Sequence, residues 1–189
     1  MTAPGPYAEA NNVMVQLTRL ACGWSRKRLA DEVGVSASHV SKVESGVLPL
    51  AGKALLDYAR VMQCSPEALC VPFTRSPAEG THFRANTSIA EWKRDRVWAR
   101  ANLIAMRLGR IEARADIEPV LALPELDPAD YAAEHGEITA AQVLRRLWRV
   151  AGPIRSMVEL LEAAGVFVVV EDFCDREIDA VTLRASQHH

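Results

Sequence analysis

The chain has 189 residues, 49% of them hydrophobic and 24% charged, with a formal net charge of −2. That length serves one or two domains, and the balance is that of a globular protein rather than a disordered or fibrous one. No stretch reaches the length of a membrane span, and no overall positive charge announces a nucleic-acid partner. The distribution says more than the total: residues 1–75 carry +2, residues 76–115 carry +4 and residues 116–189 carry −8. A basic front and an acidic back point to two parts with different partners. The opening MTAPGPYAEANN lacks the charged start and apolar run of a secretory leader. Cys22, Cys64, Cys70 and Cys174 make no C-x-x-C pair, so free thiols and a cytoplasmic location are expected.

Residues 1–9, with Pro4, Gly5 and Pro6, read as a loose tail. From Asn11 the spacing of Val13, Leu17, Leu20 and Ala21 predicts a helix ending at Gly23. Ser25 is placed to cap a second helix over Arg26 to Val33. Gly34 stops it, because glycine takes the left-handed cap conformation without strain. Ser36 caps a third helix reaching Glu44 or Ser45, ahead of Gly46. Beyond Pro49 a fourth helix is predicted from Gly52 to Met62. Ser65-Pro66-Glu67 then opens a fifth, to Leu69 or Cys70, with proline at its first position.

Residues 72–82, PFTRSPAEGTH, read as linker. A long helix comes next, from Ser88 to Arg114. Its apolar positions include Trp92, Val97, Trp98, Leu103, Met106 and Leu108, and its polar positions are rich in Lys93, Arg94, Arg96, Arg100, Arg107 and Arg110. Residues 117–134 hold three prolines and read as irregular. A helix from Thr139 to Val150, a break at Gly152-Pro153 and a helix from Ile154 to Ala164 come after them, closed by Gly165. VFVVV at 166–170 has strand character. A turn over Asp172 to Arg176 would return a second strand over Ile178 to Leu183. The expected fold is therefore mainly α: a five-helix domain over 10–71, a linker over 72–87, and a long helix with a small α+β domain and short hairpin over 88–189.

The glycine between the second and third helices carries the chemistry. A short helix, a tight turn and a second short helix form the unit that braces one helix across the DNA backbone and lays the next in the major groove. Val40 and Val43 face a core, leaving Ala37, Ser38, His39, Ser41 and Lys42 available. Small residues at the helix start permit close approach: Ala37 suits a thymine methyl, Ser38 a base edge, and Lys42 a guanine O6/N7 or a phosphate.

GWSRKRLADEVGVSASHVSKVESGVLPL, followed by LLDYARVMQCSPEAL, resembles the Xre/Cro/CI-type helix-turn-helix domain over residues 11–70. The marks are Gly23, Ser25, Leu29-Ala30, Gly34-Val35-Ser36, Val40-Ser41, Val43-Glu44, Gly46 and Pro49. The resemblance implies DNA contacts at Arg26, Ala37, Ser38, Lys42 and Ser45. With Lys27, Ser36, His39 and Ser41 these make the candidate surface. Arg26 stands where the family commonly has glutamine, and the loop after Gly46 is one residue shorter before its proline. His39 reads equally as a phosphate contact or a solvent-facing side chain. Glu44 reads as a local cap or ion pair rather than a reader of cytosine.

The second half, THFRANTSIAEWKRDRVWARANLIAMRL and then ITAAQVLRRLWRVAGPIRSMVELLEAAGVFVVVEDFCDREIDAVTL, resembles the region after the helix-turn-helix in regulators with an ImmA/IrrE-type domain. That family continues into H-E-x-x-H, where two histidines four apart hold zinc. Here His135-Gly136-Glu137 has the wrong spacing, and His188-His189 stand at the end. No catalytic residue, metal or cofactor is expected. Glu171, Asp172, Asp175, Glu177 and Asp179 read as a solvated hairpin end, the basic face of 93–114 as solvated, and Trp92, Trp98 and Trp148 as packing residues. The expected function is a sequence-specific transcriptional regulator, a phage-type or prophage-like repressor. It would bind a double-stranded operator as a homodimer paired through residues beyond about 80, since one small reader discriminates poorly, and no membrane is involved. The alternatives are an antitoxin-like protein binder and a non-catalytic fragment of a metallopeptidase regulator.

Overall fold

The computed structural model describes residues 9–85, 88–115, 117–131, 136–173 and 177–184. It is mostly helical, with eight α-helices and a two-stranded antiparallel sheet among the described residues. None of these helices is long and apolar enough to cross a membrane. Two compact units divide the described residues: 9–113 with those from 173 to 184, and those within 114–172.

In the first unit, α1 (Asn12–Ala21), α2 (Arg26–Val33), α3 (Ala37–Glu44), α4 (Gly52–Val61) and α5 (Pro66–Leu69) keep the predicted order. Four of the five starts rest on a side-chain cap, in which Asn11, Ser25, Ser36 and Ser65 each accept a backbone N–H of the first turn. The Asn11 amide also donates to the Val71 and Phe73 carbonyls, tying the entrance of α1 to the exit of α5. Val15, Leu29, Val40, Val43, Leu55, Tyr58 and Leu69 form the core of this bundle, each 2% exposed or less.

The rest of the first unit is built on the other side of α1. The helix α6 (Glu91–Glu112) buries Trp98 and Ala99 against Leu17, and Val13, Leu20 and Ala21 of α1 flank the contact. Val13, Leu17 and Leu20 are spaced as one helical stripe, so α1 serves two cores. The segment before α6 is held by Asn102, which is fully buried. Its Oδ1 accepts the Ser76 N–H at 2.8 Å, and its Nδ2 donates to the Trp98 carbonyl at 3.0 Å.

Residues 72–87, read as linker, contain β1 (Thr81–Ala85), and its partner is β2 (Ile178–Leu183). The strand over 178–183 thus forms, but it does not pair with 166–170. Register runs Thr81 with Leu183, Phe83 with Val181 and Ala85 with Ile178. Phe83 and Leu183 pack against the Leu17–Trp98 core, and that contact selects the pairing. A β-branched run sets strand preference, whereas the partner is chosen by which face can be buried. VFVVV buries neither face fully: Val166 and Val168 are half-buried, Phe167 and Val169 almost half exposed and Val170 almost wholly so, and 166–170 are not a strand.

The expected acidic hairpin end is therefore not a hairpin end. Glu177 is paired to Lys93 at 2.8 Å. Glu171, Asp172 and Asp179 are exposed, while Asp175 and Cys174 lie outside the described residues, as do His135, His188 and His189. The packing expected of Trp92 is not found. It is 56% exposed, sitting at the first turn of α6, ahead of the Val97–Ala99 segment that meets α1.

The second unit holds α7 (Gly136–Leu147) and α8 (Met157–Ala163). Ser156 caps α8, and Gly165 comes just after it at φ +82°. The Trp148 indole N–H donates to the Ala122 carbonyl at 2.7 Å, and the Leu121 N–H to the Ala163 carbonyl. Ala164 is the one apolar residue of 114–172 buried among the described residues, while Val120 stays 86% exposed.

Two substitutions separate a satisfied buried polar group from an idle one. Asn102→Ala orphans the buried Ser76 N–H and is expected to cost about 1–3 kcal/mol of stability. Tyr58→Phe removes a buried hydroxyl with no hydrogen-bond partner among the described residues and is expected to stay within about 1 kcal/mol of the parent chain. Urea unfolding of both variants checks the contrast.

Candidate nucleic-acid interface

The turn between α2 and α3 is set by local chemistry. Gly34 sits at φ +81°, and its N–H and that of Val35 both return to the Ala30 carbonyl. This closes α2 and sends the chain into Ser36, whose Oγ accepts the His39 N–H at 3.1 Å. The helix that starts there is divided lengthwise. Val40, Val43 and Glu44 are buried, whereas Ala37, Ser38 and Lys42 are exposed and His39 and Ser41 are half-buried.

The remaining candidates sit at helix ends. Arg26 and Lys27 are exposed in the first turn of α2. Ser45 is exposed just beyond α3, and its hydroxyl donates to the Lys42 carbonyl at 3.1 Å. Ser36 and Ser45 therefore shape the ends of α3 while remaining at its surface. The nine candidates gather on the α2 start and along α3, which are the two places a helix-turn-helix presents to a duplex.

Beneath this surface lies an ion cluster. Arg19 of α1 is bidentate to Glu44, with Nε to Oε1 at 2.5 Å and Nη2 to Oε2 at 3.0 Å, and its Nη1 donates to the Trp24 carbonyl. Arg26 of α2 donates from Nε to the same Oε2 at 2.8 Å. The Arg19 and Glu44 side chains are 5% and 1% exposed, the Arg26 side chain 48%. Glu44 is thus an internal tie, as its sequence context suggested, and it holds Arg26 by one edge. Burial, with the Glu44 carboxylate second, pushes the Tyr58 hydroxyl up to about 12. Burial also raises Cys64, to about 11, and Cys22, which favours the protonated form of these free thiols at neutral pH.

The ion cluster was not readable as a site. Arg19 and Glu44 are 25 residues apart on different helices, and no spacing rule joins them. Gln16 and Arg75 border the Arg26 side and carry no sequence signal either.

Two short helices joined by a tight glycine turn, the second with one side buried and the other exposed, have the geometry of a helix-turn-helix. Comparison with protein families agrees: residues 15–69 match the family model described as helix-turn-helix. That segment is a helix-turn-helix domain of the Xre/Cro/CI type, the DNA-binding module of a transcriptional regulator. The match does not extend over the region that resembles an ImmA/IrrE-type domain. No curated protein and no solved structure matched the chain.

Removing Glu44 should be far more damaging than removing its exposed partner. Glu44→Ala leaves Arg19 charged and buried, and is expected to cost about 3–5 kcal/mol. Arg26→Ala, at the half-exposed end of the same cluster, is expected to cost less than about 1 kcal/mol. Denaturant midpoints of the two variants decide it.

Proposed function

We propose that the chain is a sequence-specific repressor, of the kind phages and prophages use, that acts in the cytoplasm by occupying a double-stranded operator rather than by catalysis. The observation that carries this is the lengthwise division of α3. Val40, Val43 and Glu44 anchor one side, and Ala37, Ser38 and Lys42 stand free on the other. A helix held that rigidly can read base edges, because its side chains reach the groove from a fixed frame. Backbone contacts from Arg26 and Lys27 would supply register and most of the salt-dependent affinity.

Two-fold pairing belongs to the same reading, since one such domain reads too few base pairs to compete with a genome of other sites. The expected seam changes. Val97, Trp98 and Leu103 are spent inside the chain, the last two on the Leu17 core, which leaves Trp92 and Ile111, each 56% exposed, as the most exposed large apolar side chains of α6. The antitoxin-like alternative draws support from the second unit, where Val120 and Val170 are 86% and 97% exposed. A tight partner protein co-purifying through residues 114–172 would favour it. The likeness of 81–183 to the front of an ImmA/IrrE-type domain offers the other alternative, a non-catalytic fragment of a metallopeptidase regulator.

Selection from random duplex DNA with the purified chain is expected to return an inverted repeat, its half-sites centred roughly 34–36 Å apart. Lys42→Ala is expected to weaken binding to that sequence by about 1–3 kcal/mol and to relax preference at one position per half-site. Sedimentation of the chain on the selected duplex should give two chains per site. An asymmetric site occupied by one chain would refute the pairing, and undiminished affinity of Lys42→Ala would remove Lys42 from the reading set.

A further inference from the structure

Beside the start of α2 lies a cleft of about 580 Å³ whose walls come from two sources. Gln16 and Arg19 of α1 and Arg26 of α2 belong to the helix-turn-helix domain. Arg75, Asp95 and Trp98 belong to the segment and helix that come after it. Arg19 is consumed by Glu44 and the Trp24 carbonyl. Arg26 gives one edge to Glu44 and stays 48% exposed. Arg75 donates from Nη1 to the Gln16 side-chain oxygen, and its guanidinium carbon stands 5.6 Å from the centroid of the Trp98 ring. Gln16 and Trp98 thereby hold an exposed guanidinium in place from two directions.

These residues set the charge balance of the cleft. Glu44 neutralises one of the three arginines, and among the described residues the only carboxylate on the walls is Asp95. Asp95 is half-buried and lies near Glu91, Arg19 and Arg94. Burial, then Glu91, raises its pKa against the pull of the two arginines. One positive charge is left over. Two pre-positioned guanidiniums with surplus charge fit an oxygen anion, for which the planar fork of arginine is suited.

We propose that this cleft seats a phosphate of the DNA backbone, with Arg75 as a second phosphate-binding guanidinium beside Arg26, Gln16 and Trp98 as its positioning residues, and Asp95 as a built-in opposing charge. The proposal rests on the DNA-binding reading of the domain and extends its footprint past residue 69, where the family match ends. A phosphodiester and a free phosphate share this chemistry. The backbone is favoured because Arg26 is common to the cleft and to the α2 start that faces the duplex.

The test is a salt series of duplex binding, on selected and on unrelated DNA, with the parent chain, Arg75→Ala and Asp95→Asn. Arg75→Ala is expected to weaken binding to both duplexes alike and to lower the slope of log affinity against log salt by about 0.9, one phosphate's worth. Asp95→Asn is expected to tighten both by about threefold to fivefold at low salt, the effect of one removed charge near a phosphate. A variant damaged in folding cannot bind tighter, so the opposite signs guard against a structural artefact. An unchanged slope for Arg75→Ala, or weaker binding by Asp95→Asn, overturns the seat. So does protection of the parent chain, but not of Arg75→Ala, by inorganic phosphate in a thermal melt without any change in slope, because a free anion then fills the cleft. If the parent binds all duplexes equally and Arg75→Ala still loses the slope, the seat stands and the operator reading falls.

Discussion

The carboxylate of Glu44 is the point on which the reader depends. It lies at the last residue of α3, is almost wholly buried, and is gripped by an arginine from α1 and another from α2. Three helices contribute to one set of charge-assisted hydrogen bonds, and directional bonds of this kind set angles that apolar contact alone leaves loose. Such a cluster adds little net stability over a well-packed apolar substitute, because taking the charges out of water offsets most of their attraction. Its contribution is orientation: α3 ends where Glu44 is held, so the exposed residues upstream are presented in a fixed rotation.

A second constraint couples this reader to the segment and helix on its C-terminal side. Asn102 satisfies the buried Ser76 N–H and, with the Asn11 amide on the Val71 and Phe73 carbonyls, holds the path of the chain leaving the helix-turn-helix. The path sets Arg75 over Trp98 and beside Gln16. The helix α6, whose basic residues read in the sequence as a solvated face, is partly engaged within its own unit. Lys93 pairs with Glu177, Arg94 lies over Phe83 and Arg100 over Phe173. Those positive charges brace the sheet and its approach.

The features legible in the sequence are those decided locally. Ser25, Gly34 and Ser36 mark helix boundaries through bonds made within four residues, and their structure matches that logic. Val40 and Val43 reveal the buried side of α3 through spacing alone. The unread features are decided at long range. The Arg19–Glu44 tie joins residues with no shared period. The strand at 178–183 was visible, but its partner was not, because the competition between 81–85 and 166–170 is settled by burial on the Leu17–Trp98 core. Trp92 and Trp98 share one helical pattern. Only the position of α1 tells which of them is covered.

The helix α1 is a shared wall. Val15 closes the reader core on one side, and Leu17 closes the α6 core on the other, each fully covered side chain stabilising the chain by about 1.5–3 kcal/mol. The DNA-binding part of this chain is therefore not a cassette. Cut after α5, it would carry Val13, Leu17 and Leu20 as a bare greasy seam, prone to self-association. Transplanted onto another regulator, it would need a replacement for α6. A graft of this reader onto new partner domains would have to carry along both the 73–103 segment and β2, whose Leu183 packs on the same core from far along the chain.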